Sequence, residues 1–445
     1  MTFIAAAVAA TAIIGALIVL MRGRPDVFPL LAIFALPFRL PISADGRTVN
    51  LLIPLYLVIA AGTIAHLVPR WLNRDASPRR SPIALEWLLL GAVVLYALQG
   101  AYSTDHAKAA ENVAFFYIPF GLLFMLLRDV HWTRELLLRC LGVAVVLAVV
   151  FAGIGFVEYA RKQLFLNPKV VAANEYGNYF RVNSLFFDPN IYGRFLAIVM
   201  ITVTTVVLWS WRRRDVLIGA GVLGWLLAGL VTSFSQSSIA ALLLGLAVLA
   251  AYRWDVRATV YVTGALVAIA AVVVLVAPPS LHFGLNGSGG STSNATSGRT
   301  KLISGGLELF ADRPLYGYGA GSFETEYKRH GRTRDAANAT SASHTIPITV
   351  AAEQGIVGLL VYVALLIAAF AVLYRGAGRS PPRIALAACF AALVLHTWTY
   401  ADFLEDPITW TLLGIGVALA RAHDFGWVTR EPVPSATAVG AGHGS

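Results

Sequence analysis

Apolar runs of membrane-spanning length recur along most of this chain. A span needs roughly 20 apolar residues, because about 30 Å of hydrocarbon are crossed at about 1.5 Å per residue. Of the 445 residues, 58% are hydrophobic and only 13% are charged, whereas soluble domains average about 25% charged residues. This pattern excludes soluble, disordered and fibrous proteins and predicts an all-α fold, that of a polytopic helical membrane protein. The apolar runs do not alternate as barrel strands do.

Polar breaks divide the chain into 13 predicted spans, or 12 if the short run 26–40, which holds two prolines, is not one. The predicted spans are 3–21, 26–40, 49–67, 83–101, 112–127, 135–158, 190–210, 215–232, 237–252, 258–277, 346–373, 384–401 and 407–420. We expect two long extracytoplasmic loops. The resulting regions are N-terminal transmembrane helices (1–158), a first extracytoplasmic loop (159–189), central helices (190–277), a large extracytoplasmic loop (278–345), C-terminal helices (346–420) and a cytoplasmic tail (421–445).

The distribution of basic residues predicts the orientation in the membrane. The net charge is +10, and arginines concentrate in every second connection between spans. Cytoplasmic loops of membrane proteins carry this excess, which explains the charge better than nucleic-acid binding does. The connections that contain it are 22–25, 69–81, 128–134, 212–215, 253–257 and 375–383. The two long loops then face the opposite side, and the two cysteines, each inside an apolar run, predict neither a disulfide nor a metal site.

The first candidate site closes the first long loop. Asp188-Pro189-Asn190 is typical of a capped helix start, and Asn190 is also a candidate substrate-binding residue. Arg181 is predicted near the outer membrane surface, where a helix N-terminus already favours an anion. Arg194 lies one turn into the span, and we expect it to pair with an acid such as Glu158 or to extend towards the interface.

The second candidate lies in the large loop. Arg299 precedes a stretch, 301–310, whose apolar residues have helical spacing and predict a helix at the membrane surface. The sequence Pro314-Leu-Tyr-Gly-Tyr-Gly319-Ala-Gly-Ser-Phe323 follows. Alternating glycines let backbone amides approach a ligand, which makes Gly319 a candidate binding residue, although a tight turn explains the glycines equally.

The third candidate is at the point where the large loop meets the next span. His344 titrates near neutral pH and is suited to act as a general base. Glu353 follows about two and a half turns into an apolar helix, where an ionisable residue indicates either a functional role or burial against a partner. His330 is the competing external histidine, but it is flanked by Lys328 and Arg329 and is better suited to binding an anionic lipid or glycan.

The order of these motifs resembles the O-antigen ligase and O-antigen polymerase superfamily of bacteria. The shared features are Arg-x4-Phe-x-Asp-Pro-Asn at 181–190, a Ser-rich turn at 232–237, Pro-Leu-x-Gly-x-Gly-x-Gly-x-Phe at 314–323, and His-x8-Glu-x-Gly-x-x-Gly at 344–358. The motifs cover about residues 180–360, and the span pattern extends the resemblance over the whole chain.

The resemblance implies a GT-C-like membrane glycosyltransferase of the bacterial inner membrane. It implies a glycan donor on undecaprenyl diphosphate, a lipid or glycan hydroxyl acceptor, and an inverting transfer at the outer face that needs neither metal nor cofactor. By position, His344 corresponds to the base, and Arg181 and Arg299 correspond to the diphosphate-binding cations. Two positions depart from the family pattern: Thr345 stands where asparagine is common, and Gln236 stands where arginine is common, which removes one possible cation.

Two other classes of protein are compatible with parts of the sequence. A transporter predicts charges at mid-membrane and broken helices in related halves, whereas the polar residues here collect in the outer loops. A metal-dependent lipid-linked glycosyltransferase predicts paired acids in an outer loop. Asp402, Glu405 and Asp406 form such a cluster, which is also typical of a solvated turn and helix cap. The sequence does not separate a ligase from a polymerase, since they differ only in the acceptor.

Overall fold

A computed structural model describes residues 2–44, 47–72, 81–165, 180–254, 257, 292–330 and 345–422. In this part of the chain long apolar helices pack side by side, which confirms the predicted polytopic helical class. The helices before the first long loop are α1 (Thr2–Gly23), α2 (Val27–Ala35), α3 (Ile53–Trp71), α4 (Ala84–Gly100), α5 (His106–Asp129) and α6 (Arg134–Arg161). The later helices are α7 (Pro189–Trp209), α8 (Arg213–Thr232), α9 (Gln236–Arg253), α10 (Thr292–Asp312), α11 (Phe323–Arg329), α12 (Ile346–Tyr374), α13 (Pro381–Thr399) and α14 (Pro407–Arg421).

Eight of the described helices are long and apolar enough to cross a membrane, and three shorter apolar helices accompany them. The eight are α3, α5, α6, α7, α8, α9, α12 and α13. All of them coincide with predicted spans. The predicted span 258–277 lies outside the described residues. The predicted surface helix at 301–310 is part of α10, which packs against α12.

The segment 26–40 is not a membrane-length helix. Its helical part, α2, has nine residues, which is about 14 Å at 1.5 Å per residue. The chain then becomes extended and forms a two-stranded antiparallel hairpin, β1 (Leu40–Ala44) with β2 (Arg47–Leu51), in which Leu40 pairs with Leu51. Pro37 ends the helix because it cannot donate to the preceding turn. Beside its helices, the described part of the chain therefore contains one small hairpin of two five-residue strands.

Two helices contain a π-helical turn that ends two residues before a proline. In α3 this turn is Thr63–Leu67, before Pro69, and in α5 it is Val113–Tyr117, before Pro119. Proline has no N–H to complete a regular α-helical turn, so the hydrogen-bond pattern widens there. The turn in α5 lies immediately beyond Asn112, next to the site described below.

The two ends of the helix bundle differ in what holds them. At one end, which we call the ion-pair end, salt bridges join residues that lie in or next to the predicted cytoplasmic connections. They are Arg70–Asp129 (2.7 Å), Arg128–Glu86 (3.0 Å), Arg421–Glu86 (2.9 Å) and Arg139–Asp26 (3.3 Å). The opposite end, the loop end, is formed by residues 100–105, 180–189, 313–322 and 400–406.

Helix α13 lies at the centre of the bundle. It contacts α7, α9, α12 and α14, and most of its residues are buried. Small side chains dominate the buried positions, and small residues let membrane helices approach closely. The buried alanines of α13 are Ala385, Ala387, Ala388, Ala391 and Ala392. This packing fixes the 400–406 connection that follows α13 at the loop end.

Candidate active site

The loop end brings together segments that are far apart in the sequence. The Tyr102 hydroxyl donates to the Tyr316 carbonyl over 2.8 Å, and the Ser103 hydroxyl donates to the Ala320 carbonyl over 2.7 Å. The Thr325 hydroxyl donates to Asp105 over 3.0 Å. The 100–105 connection therefore supports the glycine loop, defined as residues 314–323, directly above α12.

The glycine loop is inserted into a break in helix α12. Gly355 has φ 64° and ψ −162° inside that helix, so the backbone groups around it are released from helical hydrogen bonding. The Ile356 amide donates to the Pro314 carbonyl over 2.8 Å, and the Gly319 amide donates to the Glu353 carbonyl over 2.8 Å. The break and the loop satisfy each other's backbone, as buried polar groups in a membrane require.

Glycine is required in this loop because backbone approaches backbone. Gly317 and Gly319 have φ of 67° and 96°, conformations that side chains rarely adopt. A Cβ on Gly317 would lie 2.3 Å from the Glu353 carbonyl oxygen, and one on Gly319 would lie 2.3 Å from the Ser103 Cα. The tight-turn interpretation of the glycines accounts for these contacts, and a ligand contact of Gly319 stays a prediction.

The Glu353 side chain anchors the same loop. Its Oε2 accepts from the Gly321 amide over 2.9 Å, and its Oε1 accepts from the Phe323 amide over 3.0 Å. The residue is buried, and both oxygens thus meet backbone donors. A carboxylate buried in an apolar helix needs such hydrogen-bond donors. Substrate binding by Glu353 stays a prediction.

Arg181 and Asn190 are brought together at the start of α7. Asn190 is buried, and its backbone N–H donates to the Asp188 carboxylate over 2.7 Å. Asp188 therefore caps α7, as predicted. The side-chain Oδ1 of Asn190 accepts from Arg181 Nη2 over 3.3 Å and from the Ser235 hydroxyl over 2.9 Å. Arg181 Nε also donates to the Ser233 carbonyl over 3.1 Å. The guanidinium plane is therefore fixed between the first long loop and the Ser-rich turn.

The Ser-rich turn continues this polar network into the bundle. Ser238 and Ser237 place their hydroxyls 3.1 Å and 3.3 Å from His396 Nε2. His396 is fully buried, in agreement with the structural burial that its place in a span suggests. The serines thus link α9 to α13, and Ser235 and Ser238 donate hydrogen bonds to Asn190. The sequence motif alone did not reveal this role.

Arg194 pairs with an acid, one of the two expected alternatives, but the acid is Asp406 and not Glu158. Arg194 lies 2.9 Å from the Asp406 carboxylate, with both side chains almost fully buried. Glu158 instead accepts from the backbone amides of Ser184 (2.7 Å) and Phe165 (3.1 Å), across the first long loop. The acid that neutralises Arg194 comes from the 400–406 connection, which α13 and α14 bring to the start of α7.

The acidic residues of the 400–406 connection have separate partners. Asp406 pairs with Arg194, and Glu405 Oε1 accepts from Asn112 Nδ2 over 2.8 Å. Within the described ranges no group of three or more His, Cys, Asp or Glu residues is arranged to hold a metal ion. Here the cluster predicted as a possible metal site neutralises a buried arginine and caps α14, whose Ile408 amide donates to Asp406 over 2.9 Å.

Burial, with a further contribution from the neighbouring Asp402, raises the pKa of Glu405 to about 7 against the opposing effects of Lys108 and Arg39. A carboxyl whose folded-state pKa exceeds its ordinary value of about 4.3 stabilises the fold at low pH, and this stability is lost as the pH rises through the folded-state pKa. We therefore expect Glu405→Gln to be increasingly more stable than the native protein as the pH rises from about 5 to 8.

Melting temperatures of both proteins across that pH range test this expectation. Glu324→Gln, on exposed helix α11, is the control and should follow the native curve. Parallel curves for Glu405→Gln and the native protein would contradict the raised pKa.

Two predicted site residues fall outside the description. His344 belongs to the residues that are not described, and it directly precedes Thr345, the N-cap residue of α12. Arg299 lies within α10, but its side chain is not described. The predicted convergence of Arg299 with Arg181, and the role of His344 as base, stay predictions.

The competing histidine, His330, is held by its own loop. Its Nδ1 lies 2.9 Å from the Glu326 carbonyl oxygen, and its Nε2 lies 3.3 Å from the Tyr318 hydroxyl. Arg313 stacks over the Tyr318 ring, 4.4 Å from its centroid. These contacts tie α11 to the glycine loop and give His330 a structural role.

Comparison with known proteins gives one family match. Residues 221–363 match the family model described as O-antigen ligase. The matched segment covers about a third of the chain and includes α9, α10, the glycine loop and the broken part of α12, but not Arg181 or Asn190. Comparison with curated proteins gives no match.

Proposed function

We propose that this chain, whose residues 221–363 match the O-antigen ligase family model, is a member of the O-antigen ligase and polymerase superfamily and transfers a glycan from undecaprenyl diphosphate to a hydroxyl acceptor. In this proposal it is a multi-pass protein of the bacterial inner membrane, and the transfer takes place at the loop end of the bundle, on the extracytoplasmic side. The acceptor is a lipid-anchored core in a ligase or a second lipid-linked glycan in a polymerase.

The observation that carries the proposal is the continuity of the loop end. Arg181 bonds Asn190, and one turn further along α7 Arg194 Nη1 donates to the Asp402 carbonyl over 3.4 Å. The 400–406 connection in turn contacts Asn112 in α5. The family-matched glycine loop lies over the same α5 end. Described elements from separate parts of the chain thus meet in one polar network at the loop end, which supports placing the proposed chemistry there.

The proposed mechanism needs cations for the leaving group and a base for the acceptor. The acceptor oxygen attacks the anomeric carbon, the bond to the diphosphate breaks with inversion, and the acceptor proton passes to His344. The diphosphate leaves with about two to three negative charges, which arginines at 181 and 299 meet through bidentate contacts. No metal ion or other cofactor takes part. Fixation of the Arg181 plane by Asn190 and Ser233 lowers the cost of orienting it during the reaction.

A conservative substitution tests the arginine. Arg181→Lys should lower transfer about tenfold or more, because an ammonium group cannot reproduce a planar, bidentate guanidinium contact. The measurement is transfer from undecaprenyl-diphosphate-linked oligosaccharide by purified protein in proteoliposomes, with and without a core acceptor, and product length separates ligase from polymerase. Arg329→Lys, at an exposed site on α11, is the matched control.

Two results would contradict the proposal. Native-like transfer by Arg181→Lys would remove this residue from the diphosphate contact. Loss of native activity in a metal chelator would favour the metal-dependent class, which the separate partners of Asp406 and Glu405 already disfavour.

A further inference from the structure

A cavity of about 80 Å³ lies beneath the glycine loop. Its walls come from the first half of α12, the ends of α4 and α5 that face the loop end, and the 400–406 connection. Polar side chains form one part of its lining, and tyrosines with aliphatic residues form the rest. The polar lining residues that carry charge or an amide are Lys108, Asn112, Glu353, Gln354, Asp402 and Glu405.

One buried polar atom in this cavity has no partner. Asn112 is 2% exposed, and its Nδ2 donates both to Glu405 (2.8 Å) and to the Tyr96 hydroxyl (2.7 Å). Among the described residues its Oδ1 has no hydrogen-bond partner. With the amide nitrogen facing Glu405 and Tyr96, the Asn112 Oδ1 is left for another donor. A buried oxygen without a donor is destabilising, and a ligand hydroxyl that donates to it removes this cost.

The charge of the lining selects the kind of ligand. Three carboxylates, those of Glu353, Asp402 and Glu405, face one ammonium group, that of Lys108. Such a lining repels a diphosphate and accepts hydrogen bonds from neutral hydroxyl groups. Tyr96, Tyr117 and Tyr362 supply apolar faces beside the acceptors, the combination of few polar groups with aromatic walls that small-molecule sites use.

The size of the cavity limits how much of a ligand enters. A water molecule occupies about 30 Å³ of liquid, so 80 Å³ accommodates two or three hydroxyl-sized groups. Two or three such groups correspond to one edge of a hexose ring with its exocyclic hydroxyls. The rest of such a sugar must lie outside the cavity, at the loop end.

The cavity adjoins both parts of the proposed chemistry. Ile346 is among its lining residues, and His344 lies two residues before it in the sequence. On the other side, the Asp402 carbonyl accepts from Arg194, one helical turn from the Asn190 that holds Arg181. The cavity thus lies between α12, the helix that follows His344 in the sequence, and the 400–406 connection, which contacts Arg194.

We propose that this cavity is the acceptor subsite, which binds the edge of a neutral hexose through Asn112, Glu405 and Lys108, separately from the arginines that hold the donor. The inference rests on the proposed function. It assigns a ligand class to residues that the family motifs do not contain, since Lys108 and Asn112 lie in α5, outside the matched segment.

Direct binding measurements test this assignment. The neutral probes are methyl α-glucoside, methyl α-galactoside and N-acetylglucosamine, and the anionic probe is inorganic pyrophosphate. Saturation-transfer NMR on the full-length protein in nanodiscs should detect at least one neutral probe. Glu405→Gln and Asn112→Thr should weaken its binding about tenfold, since a hydrogen bond to a charged group contributes about 1.5–3 kcal/mol. Glu324→Gln should bind like the native protein.

Competition separates the two subsites. Pyrophosphate should not displace the neutral probe, and Glu405→Gln should leave pyrophosphate binding unchanged, whereas Arg181→Ala should weaken it. The cavity assignment is wrong if no neutral probe binds, if Glu405→Gln and Asn112→Thr bind the probe like the native protein, or if pyrophosphate displaces it. Probe binding that depends on Glu405, in a protein that transfers no glycan, would instead contradict the proposed function and leave the cavity assignment standing.

Discussion

Replacing His344 by alanine should lower glycan transfer about 10²–10⁴-fold, the usual effect of removing a general base. In the proposed mechanism this histidine takes the proton of the acceptor hydroxyl as that oxygen attacks the anomeric carbon. Donor binding should stay within a few fold of the native value, because the diphosphate is held by arginines. Single-turnover transfer and donor binding, measured on the same purified protein, separate the two effects.

His330→Ala is the matched control for this substitution. His330 is also an external histidine of the large loop, but the Glu326 carbonyl and the Tyr318 hydroxyl already occupy both of its ring nitrogens. We expect His330→Ala to change stability more than the rate of transfer. Near-normal transfer by His344→Ala together with an inactive His330→Ala would move the base to His330 and overturn the assignment.

Local sequence patterns predicted the helices well because each depends on its own residues. The length of an apolar run determines whether it spans a membrane, and the Asp-Pro pairs at 188–189 and 406–407 cap the helices that they precede. The hairpin strands could also be predicted locally, because the sequence Asp-Gly at 45–46, between β1 and β2, is typical of hairpin turns.

The broken helix α12 could not be predicted in the same way. The sequence of the segment 346–373 predicts a continuous apolar helix, in which Glu353 is an ionisable residue and Gly355 a glycine. The break at Gly355 is stable only because the glycine loop, from a different part of the chain, supplies the Pro314 carbonyl as an acceptor and the Gly319 amide as a donor to the Glu353 carbonyl. Such reciprocal contacts depend on tertiary packing, which no single-segment pattern contains.

The buried ion pair shows the same limit, and it also has a large predicted effect on stability. The Arg194 and Asp406 side chains are 1% and 3% exposed, in a part of the bundle where neither charge can be hydrated. Removing one partner of a buried pair costs about 3–5 kcal/mol, because the other charge is left without compensation. We therefore expect Asp406→Ala to lower the free energy of unfolding by that amount. Glu135→Ala, which breaks an exposed pair with Arg139, should cost at most about 1 kcal/mol.

A double-mutant cycle distinguishes lost charge compensation from a lost helix cap. Asp406 also accepts from the Ile408 amide, and Asp406→Asn keeps that cap while removing the charge. If the charge dominates, Asp406→Asn should be nearly as destabilising as Asp406→Ala, and Arg194→Met combined with Asp406→Asn should cost much less than the sum of the two single substitutions. Unfolding in mixed micelles gives each free energy. Strictly additive costs would mean that the two side chains do not stabilise each other, and the pair would then have no part in holding the 400–406 connection against α7.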